Sequence, residues 1–539
     1  MKRSLRMSRK AASTRSLQCV KQLAIAGLIL FAATATAAPK TPKAPRAVVL
    51  VYADDLGFGD LSCYGASRLK TPNIDRLAEQ GRVFTDAHSA SAVCTPSRYS
   101  LLTGRYAWRV DNYNPVFAQH GLIIDPDTTT LADVFHQAGY TTACIGKWHL
   151  GFGDPHPNWN GELKPGPLEL GFDYYYGVPV VNSHPPFVYV ENHRVVGLVP
   201  EDPLIWRKNT GNPHTQAYPE KKKAPLRNGL GFRGGKAAHE LYVDEMVGTH
   251  LTDKALKWMD ANKDKPFFLY FASTAIHHPF TPHPRFQGTS KAGRYGDFVH
   301  ELDWITGRLM EKLEQIGVAD DSIFIFTSDN GGMLNQGGRQ AWELGHRLNA
   351  HLQGFKFDVW EGGHRVPFII RWPGRVPAGS KSNALISSID MTSTCADILG
   401  VKLPEHAAPD GITVLPELTG DPAQPCRDHL VLAGQSREHL SLRDADWVYI
   451  PAQGGGGFGN GLTGIKNTDN INSDITFDGR IKPGSPPAQL YNLKSDPRQQ
   501  INVIREHPEI AGKLKTKLDE VSRRAPVDAA RPGPANQDE

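Results

Sequence analysis

The chain has 539 residues, 40% of them hydrophobic and 22% charged, with a formal net charge of +4 and six cysteines. That apolar fraction is ample for a core, which excludes wholesale disorder, and six cysteines over this length exclude a disulfide-dense mini-scaffold. The length fits one large domain, or one large and one small.

The charge sits at the front. Lys2, Arg3, Arg6, Arg9, Lys10, Arg15 and Lys21 precede an apolar run, LAIAGLILFAATATA over 23–37, and no acid lies among residues 1–37. A basic head, an apolar middle and Ala35-Thr36-Ala37 at the end predict a cleaved export signal over residues 1–37. The run is shorter than the roughly 20 apolar residues a membrane span needs. No other stretch is apolar enough, so the expectation is an exported protein, periplasmic or secreted, with no stable span after cleavage. Without the leader the net charge falls from +4 to −3. The mature chain is therefore not basic, and nucleic acid is not an expected partner.

The first strand is expected in VVLVYADDLG from Val48, a continuous β-branched and aromatic run of the kind found in buried parallel strands. A helix follows from Thr71 as N-cap and Pro72 in the first turn, ending at Gly81. Another runs from about Thr130 to Ala138, before a short strand at Thr141–Ile145. The stretch to about residue 238 is rich in Pro, Gly, His and Asn and reads as substrate-binding loops rather than core. Strands are expected at 266–273, 322–328 and 366–372, and helices at Asp297–Ile316 and Asp390–Leu399. Strands alternating with helices predict an α/β fold with a large, mixed, mostly parallel sheet flanked by helices, whose ligands bind at the carboxyl ends of the strands. Short strands around 429–434, 446–452 and 490–493, a Gly-rich insert from Gly454 and a helix over 508–523 predict a small C-terminal α+β unit with an antiparallel sheet. The expected division is a leader over 1–37, a catalytic domain over 38–425 and a smaller domain over 426–539.

Two acidic pairs end apolar strands. Asp54-Asp55 closes the first strand, and two adjacent carboxylates repel unless a cation lies between them. Asp329-Asn330 in TSDNGG closes another. These hard oxygen ligands suit Ca²⁺ or Mg²⁺ rather than Zn²⁺. Pro96 and the Ser-Arg after it suit a helix N-terminus, whose free N–H groups and dipole seat an anion next to Cys94. Arg98 adds a permanent planar cation. Lys147 and His149 in GKWHLG, His277 and His278 in ASTAIHHPF, and Lys356 before Glu361-Gly362-Gly363 are weak signals taken singly.

The segment Ala92 to Arg105, in which C-x-P-S-R runs into Leu-Leu-Thr-Gly-Arg, closely resembles the signature of type I sulfatases. The resemblance covers about residues 46–420, with a weaker match at LYNLKSDPRQQINV. It implies an alkaline-phosphatase-like fold and a Cys94 oxidised to formylglycine (3-oxoalanine) by a dedicated maturation enzyme. It implies Ca²⁺, sometimes Mg²⁺, held by Asp54, Asp55, Asp329, Asn330 and the converted Cys94. Lys147, His149, His277 and Lys356 would surround the sulfate, with Arg98 beside the nucleophile. By analogy the hydrated aldehyde attacks sulfur, His277 protonates the leaving oxygen, and His149 is the base for the elimination that returns the aldehyde. With Cys94 converted, the five cysteines left after the leader reduce to Cys63, Cys144, Cys395 and Cys426, which pair or stay buried.

The run WEGGHRVPFIIRWPG and Gly345-His346-Arg347-Leu348-Asn349 resemble the branch near arylsulfatase A and N-acetylgalactosamine-6-sulfatase. This implies a sulfated carbohydrate, of 6-sulfated galactose or N-acetylgalactosamine type, with Asn182, His184, His346 and Asn349 as candidate substrate contacts. The tyrosines of GFDYYYG are either sugar-stacking or core. Three alternatives stay open: an arylsulfatase acting on aryl sulfates, a phosphonate monoester or phosphodiester hydrolase of the same superfamily, and a secreted glycan-binding protein with an unconverted cysteine.

Overall fold

Strand Ala47–Ala53 is the centre of a ten-stranded sheet, and every one of its residues is buried. It pairs in parallel with Phe267–Ala272 on one side and Ser322–Ser328 on the other, with Val49 opposite Leu269 and Phe324. Thr141–Lys147 and Tyr174–Val178 continue the parallel order beyond Phe267–Ala272. On the far side Phe368–Arg371 runs antiparallel to Ser322–Ser328, Arg82–Phe84 runs antiparallel to Phe368–Arg371 and so restores the central direction, and Ser380–Ser382 closes that edge in parallel. This is the large, mixed, mostly parallel sheet expected from the alternation. The structure is a computed structural model that describes residues 44–208, 230–334 and 338–523. The expected leader lies outside the described residues, among which no helix is long and apolar enough to cross a membrane.

Alternation along the central strand sorts the helices into two layers. Val49 and Val51 pack into the cluster that holds Val247, Leu251 and Met259 of helix Val247–Ala261 and Leu302, Ile305 and Leu309 of helix Gly293–Gln315. Val48, Leu50 and Tyr52 face the opposite cluster, built from helices Cys94–Thr103, Leu131–Gln137 and Met391–Leu399. Thr130 caps the second of these through a reciprocal bond with Asp133, the capping-box arrangement that satisfies free N–H groups.

The stretch expected to be loop differs. Tyr174–Val178, Val190–Glu191 and Arg194–Val195 extend the sheet. Tyr175 and Tyr176 are buried, and Tyr176 stacks on Tyr189 at 5.5 Å and meets His250 Nε2 at 2.7 Å. The open edge of Thr141–Lys147 recruits this segment, and edge pairing of that kind overrides local composition. Of the two readings of these tyrosines, core is the one realised. Helix Val247–Ala261 has no counterpart among the sequence expectations.

His429–Ala433, Leu440–Asp444, Trp447–Ile450 and Gln489–Asn492 form a separate four-stranded antiparallel sheet. Helix Pro508–Arg523 covers it through Ala511, Leu514, Leu518 and Val521. This sheet reaches back into the larger one. Ala92 N donates to Ala433 O at 2.8 Å, two residues before Cys94, and Arg443 pairs with Asp86 at 2.9 Å. All five described cysteines are free, so Cys63, Cys144, Cys395 and Cys426 do not pair.

Candidate active site

Four parallel strands end at the same edge, and their last residues or following loops carry the candidate groups. Asp54 and Asp55 follow Ala53, Asp329 and Asn330 follow Ser328, Lys147 ends its strand, and His277 lies five residues past Ala272. Gly146 makes the approach of Lys147 feasible. It has φ +125°, and a Cβ there would stand 1.8 Å from Ala272 O. Cys94 opens a ten-residue helix that is buried along its whole length, with Gly104 in the left-handed conformation at the C-cap. The first turn of that helix presents N–H groups at the same edge.

The charges balance in pairs. Lys147 Nζ lies 2.8 Å from both oxygens of Asp54, and Lys356 Nζ lies 2.5 Å from Asp55 Oδ1. Arg98 donates from Nε and Nη2 to Asp329 Oδ2 at 3.1 and 2.7 Å, and Nη2 lies 3.8 Å from Asp54. Its guanidinium also sits over the ring of Tyr52, 5.4 Å from the centroid. Asn330 Nδ2 donates to Asp55 Oδ1 at 2.9 Å, and Asp55 N donates to Asp329 Oδ1 at 3.1 Å. All these side chains are buried.

Burial raises the Cys94 thiol above its usual range, so an unmodified thiol here is a poor thiolate. Burial also lowers His149, joined by Lys147, Arg98 and Lys356. His149 is thus a neutral imidazole, and neither ring nitrogen has a hydrogen-bond partner among the described residues. His277 is lowered by burial, then by Lys356, His278 and Lys147. Its Nδ1 donates to His278 O at 2.5 Å, which leaves Nε2 as the available nitrogen, 3.8 Å from Asp55. An arriving anion would raise both imidazoles by opposing the lysines.

The donor set fits a divalent cation. Asp55 Oδ2 and Asn330 Oδ1 are buried without a hydrogen-bond partner among the described residues, and such orphans call for a ligand. Ligand atoms of Asp54, Asp55 and His277 lie within 4.8 Å of one another. Oxygen donors of this kind suit a hard ion. A second group with metal-ligand chemistry, His88, Glu361 and His364, is a charge network instead. Arg365 lies 2.6 Å from Glu361 and 2.8 Å from Asp86, so a guanidinium already supplies the cation.

The four substrate-contact candidates divide. Asn182 Nδ2 donates to His277 O at 2.9 Å, and its Oδ1 is buried without a partner among the described residues. His184 is pushed down to about 4 by burial and by Lys356 and Lys147, and its ring lies 5.1 Å from Phe117. His184 thus stands in the field of the two lysines, and Asn182 beside His277. His346 and Asn349 are engaged inside the fold. His346 Nε2 meets Asp60 Oδ1 at 2.7 Å, and Asn349 accepts from Gly332 N at 2.8 Å and donates to Gly354 O at 3.0 Å. Hydrogen bonds to Asp60, Gly332 and Gly354 already use those atoms, which favours a positioning role over the expected substrate contact.

Sequence reasoning missed the residues that hold these segments. Asp60 accepts from Gly57 N and Tyr295 OH, both at 2.6 Å, and Thr95 Oγ1 donates to His149 O at 2.9 Å. Asp60 lies in the same GFGD run as the acidic pair, a signal that was visible without a role. Thr95 gives no signal.

A family model described as Sulfatase matches residues 46–401. The chain is 38% identical over 500 residues to an N-acetylgalactosamine-6-O-sulfatase of Bacteroides thetaiotaomicron, covering 88% of this chain and 93% of that protein. It is 32% identical over 406 residues to N-acetylgalactosamine-6-sulfatase of Canis lupus familiaris, covering 73% and 69%. A solved structure described in the context of glycosaminoglycan metabolism by Bacteroides thetaiotaomicron superposes with a TM-score of 0.78 at 36% identity, covering 90% of this chain and 100% of that one.

Proposed function

Because the chain belongs to the sulfatase family and hydrolyses sulfate esters, we propose that its substrate is a 6-O-sulfated galactose-type sugar, with 6-O-sulfated N-acetylgalactosamine first among candidates. The observation that carries this reading is the 38% identity, over almost the whole length of both proteins, to a relative named for that sugar. Asn182, beside His277, and His184, in the field of the two lysines, are the substrate contacts in this reading. His346 and Asn349 act as positioning residues.

Cys94 is the residue converted to formylglycine, and Asp54, Asp55, Cys94, Asp329 and Asn330 are the residues that would hold Ca²⁺. The hydrated aldehyde supplies the nucleophile, and the cation supplies Lewis-acid stabilisation of charge at oxygen. The chain's own groups do the rest. Lys147 and Lys356 place ammonium donors beside position 94, where developing negative charge on sulfate oxygens is stabilised in a water-poor site. Arg98 opposes the upward push of burial on the Asp329 carboxyl and fixes it through two N–H groups. His277, oriented by its Nδ1 bond to the His278 carbonyl, would give a proton from Nε2 to the leaving sugar oxygen once the arriving anion has raised the imidazole and it carries a second proton there. His149, with no hydrogen-bond partner at either ring nitrogen among the described residues, would serve as the base that accepts a proton from the group at position 94. The same reading includes export by a leader ending at Ala37, conversion by a maturation enzyme, and a division near residue 425 into catalytic and smaller C-terminal domains.

Sulfate release by matured protein from 6-O-sulfated N-acetylgalactosamine, its 4-O-sulfated isomer and an aryl sulfate tests the substrate. The expected order places the 6-O-sulfated sugar first by at least tenfold in kcat/KM. Faster turnover of the 4-O isomer overturns the sugar assignment. Turnover of an aryl phosphodiester above every sulfate overturns the chemistry.

A further inference from the structure

A cavity of about 290 Å³ lies between segment 342–353 and the C-terminal segments 469–470 and 498–500. None of the residues grouped around Cys94 lines it. Its size is at the lower end for small-molecule sites and suits one sugar unit. Its chemistry is cationic and amphipathic. The half-buried indole of Trp342 packs against Phe355 at 5.7 Å, with the Arg347 guanidinium over its ring at 4.0 Å. Arg498 has no ion-pair partner within 4 Å among the described residues, and it is close enough to lower the neighbouring His351. The one carboxylate, Asp469, is exposed and lies 3.9 Å from Arg347. Two arginines thus line the cavity with one carboxylate, which pairs with Arg347 and leaves the Arg498 charge unmatched among the lining residues.

The wall is also fixed. Asn470 accepts from Gly354 N at 2.7 Å and donates to Leu352 O at 2.7 Å, and the Gln353 amide donates to Asn470 O at 3.2 Å. The lip is therefore set by the same loop that carries Lys356, three residues beyond Gln353. A preorganised pocket with planar donor forks, an indole and carboxamides is built for a ligand that has an anionic group, hydroxyls and an apolar C–H face.

We propose that this pocket is a second saccharide site, which binds an anionic sugar unit of the glycan outside the catalytic centre. This rests on the carbohydrate reading above. The anion is a sulfate or a uronate carboxylate, which share the chemistry an arginine fork recognises. Two attachment points raise the effective concentration of the scissile unit at Cys94, so the pocket matters for oligosaccharides and not for small esters.

The test uses the full chain carrying Cys94→Ala, titrated calorimetrically with a tetrasaccharide of alternating uronate and 6-O-sulfated N-acetylgalactosamine. Adding Arg498→Gln is expected to weaken binding about tenfold, and Trp342→Leu to do the same, with unchanged thermal midpoints. Removing the ligand's sulfates assigns the anion as sulfate if the Arg498 effect vanishes, and reducing its uronates assigns it as carboxylate. In matured enzyme with Cys94 intact, Arg498→Gln is expected to raise KM for the tetrasaccharide and leave kcat/KM for an aryl sulfate unchanged. Wild-type affinity in both pocket variants, or an equal loss on aryl sulfate, overturns the proposal. Failure of the substrate reading looks different: wild-type enzyme hydrolyses the aryl sulfate and no sulfated sugar, while the calorimetric titration still reads the pocket.

Discussion

Arg98 is a permanent cation with no solvent-exposed surface, and it persists there because Asp329 accepts two of its N–H groups. Removing one partner of such a pair strands the other charge, at a cost of about 3–5 kcal/mol. Arg98→Ala is expected to lose that much in urea unfolding, and Arg98→Lys to recover only part, because an ammonium lacks the planar fork. A variant within about 0.5 kcal/mol of wild type would show that the pair is not held as described. Asp55 Oδ2 and Asn330 Oδ1 carry the opposite problem, buried acceptors without donors. A divalent ion that satisfies them stabilises the folded state by about 2.7 kcal/mol at a hundredfold excess over its Kd. The thermal midpoint is accordingly expected to fall on chelation and to recover with Ca²⁺, and Asp55→Asn is expected to blunt the recovery. An unchanged midpoint after exhaustive chelation contradicts the metal assignment. The buried acidic cluster was legible in the sequence because adjacent acids at the end of an apolar strand are costly without a reason. The burden on His346 and Asn349 was not legible, since His346 bonds to Asp60, 286 residues earlier, and Asn349 bridges Gly332 and Gly354 through turns that no local pattern announces.

At the level of elements, the site is assembled by backbone that no ordinary residue prefers. Asp55, His149 and Phe357 all adopt positive φ, a conformation that costs on the order of 1–3 kcal/mol each and is maintained only by the surrounding packing. Gly146 is the extreme case, since a side chain there meets Ala272 O. Gly146→Ala is expected to lower stability by more than about 2 kcal/mol and to reduce activity by displacing Lys147. Wild-type denaturant midpoint and turnover would mean that the strand can re-register at no cost. The Gly-rich insert is built on a related constraint. Gly455, Gly457 and Gly461 crowd the Asp358 carboxyl, where a Cβ on any of them would lie 2.5 to 2.8 Å from Oδ1. Burial pushes that carboxyl up to about 8. Its folded value therefore exceeds its unfolded value near 4, so the folded state binds the proton more tightly. The stability it contributes is present below about pH 4 and is lost as pH rises towards 8. Asp358→Asn is expected to flatten the fall in unfolding free energy between pH 5 and pH 8, and parallel curves for the two proteins would refute this. The glycines were conspicuous in the sequence, yet the acid they enclose lies about 100 residues earlier, and no local pattern joins the two. The elements read correctly were those with strong periodicity and punctuation, such as Ser322–Ser328 and Pro508–Arg523. The strands missed lie at the sheet edge, where pairing rather than propensity decides, and helix Val247–Ala261 was missed as well.

Taken as a whole, the molecule is closed by its own C-terminal sheet. Strand His429–Ala433 hydrogen-bonds to the segment leading into the Cys94 helix, and Arg443 on the next strand pairs with Asp86 while standing 3.8 Å from Glu361. Arg443→Ala is expected to destabilise the entire chain by about 3–5 kcal/mol in one cooperative transition. Two separated transitions in calorimetry would show instead that the C-terminal sheet melts independently. The closure also fixes an order of events. Cys94 is 1% exposed, and its surroundings are completed by Asp329, Lys356 and the strand at 429–433, all of which leave the ribosome hundreds of residues after it. The conversion of Cys94 proposed above would therefore have to take place while the later half of the chain is unmade or unfolded. Every finished molecule would then record, in a single side chain, whether that appointment during its synthesis was kept.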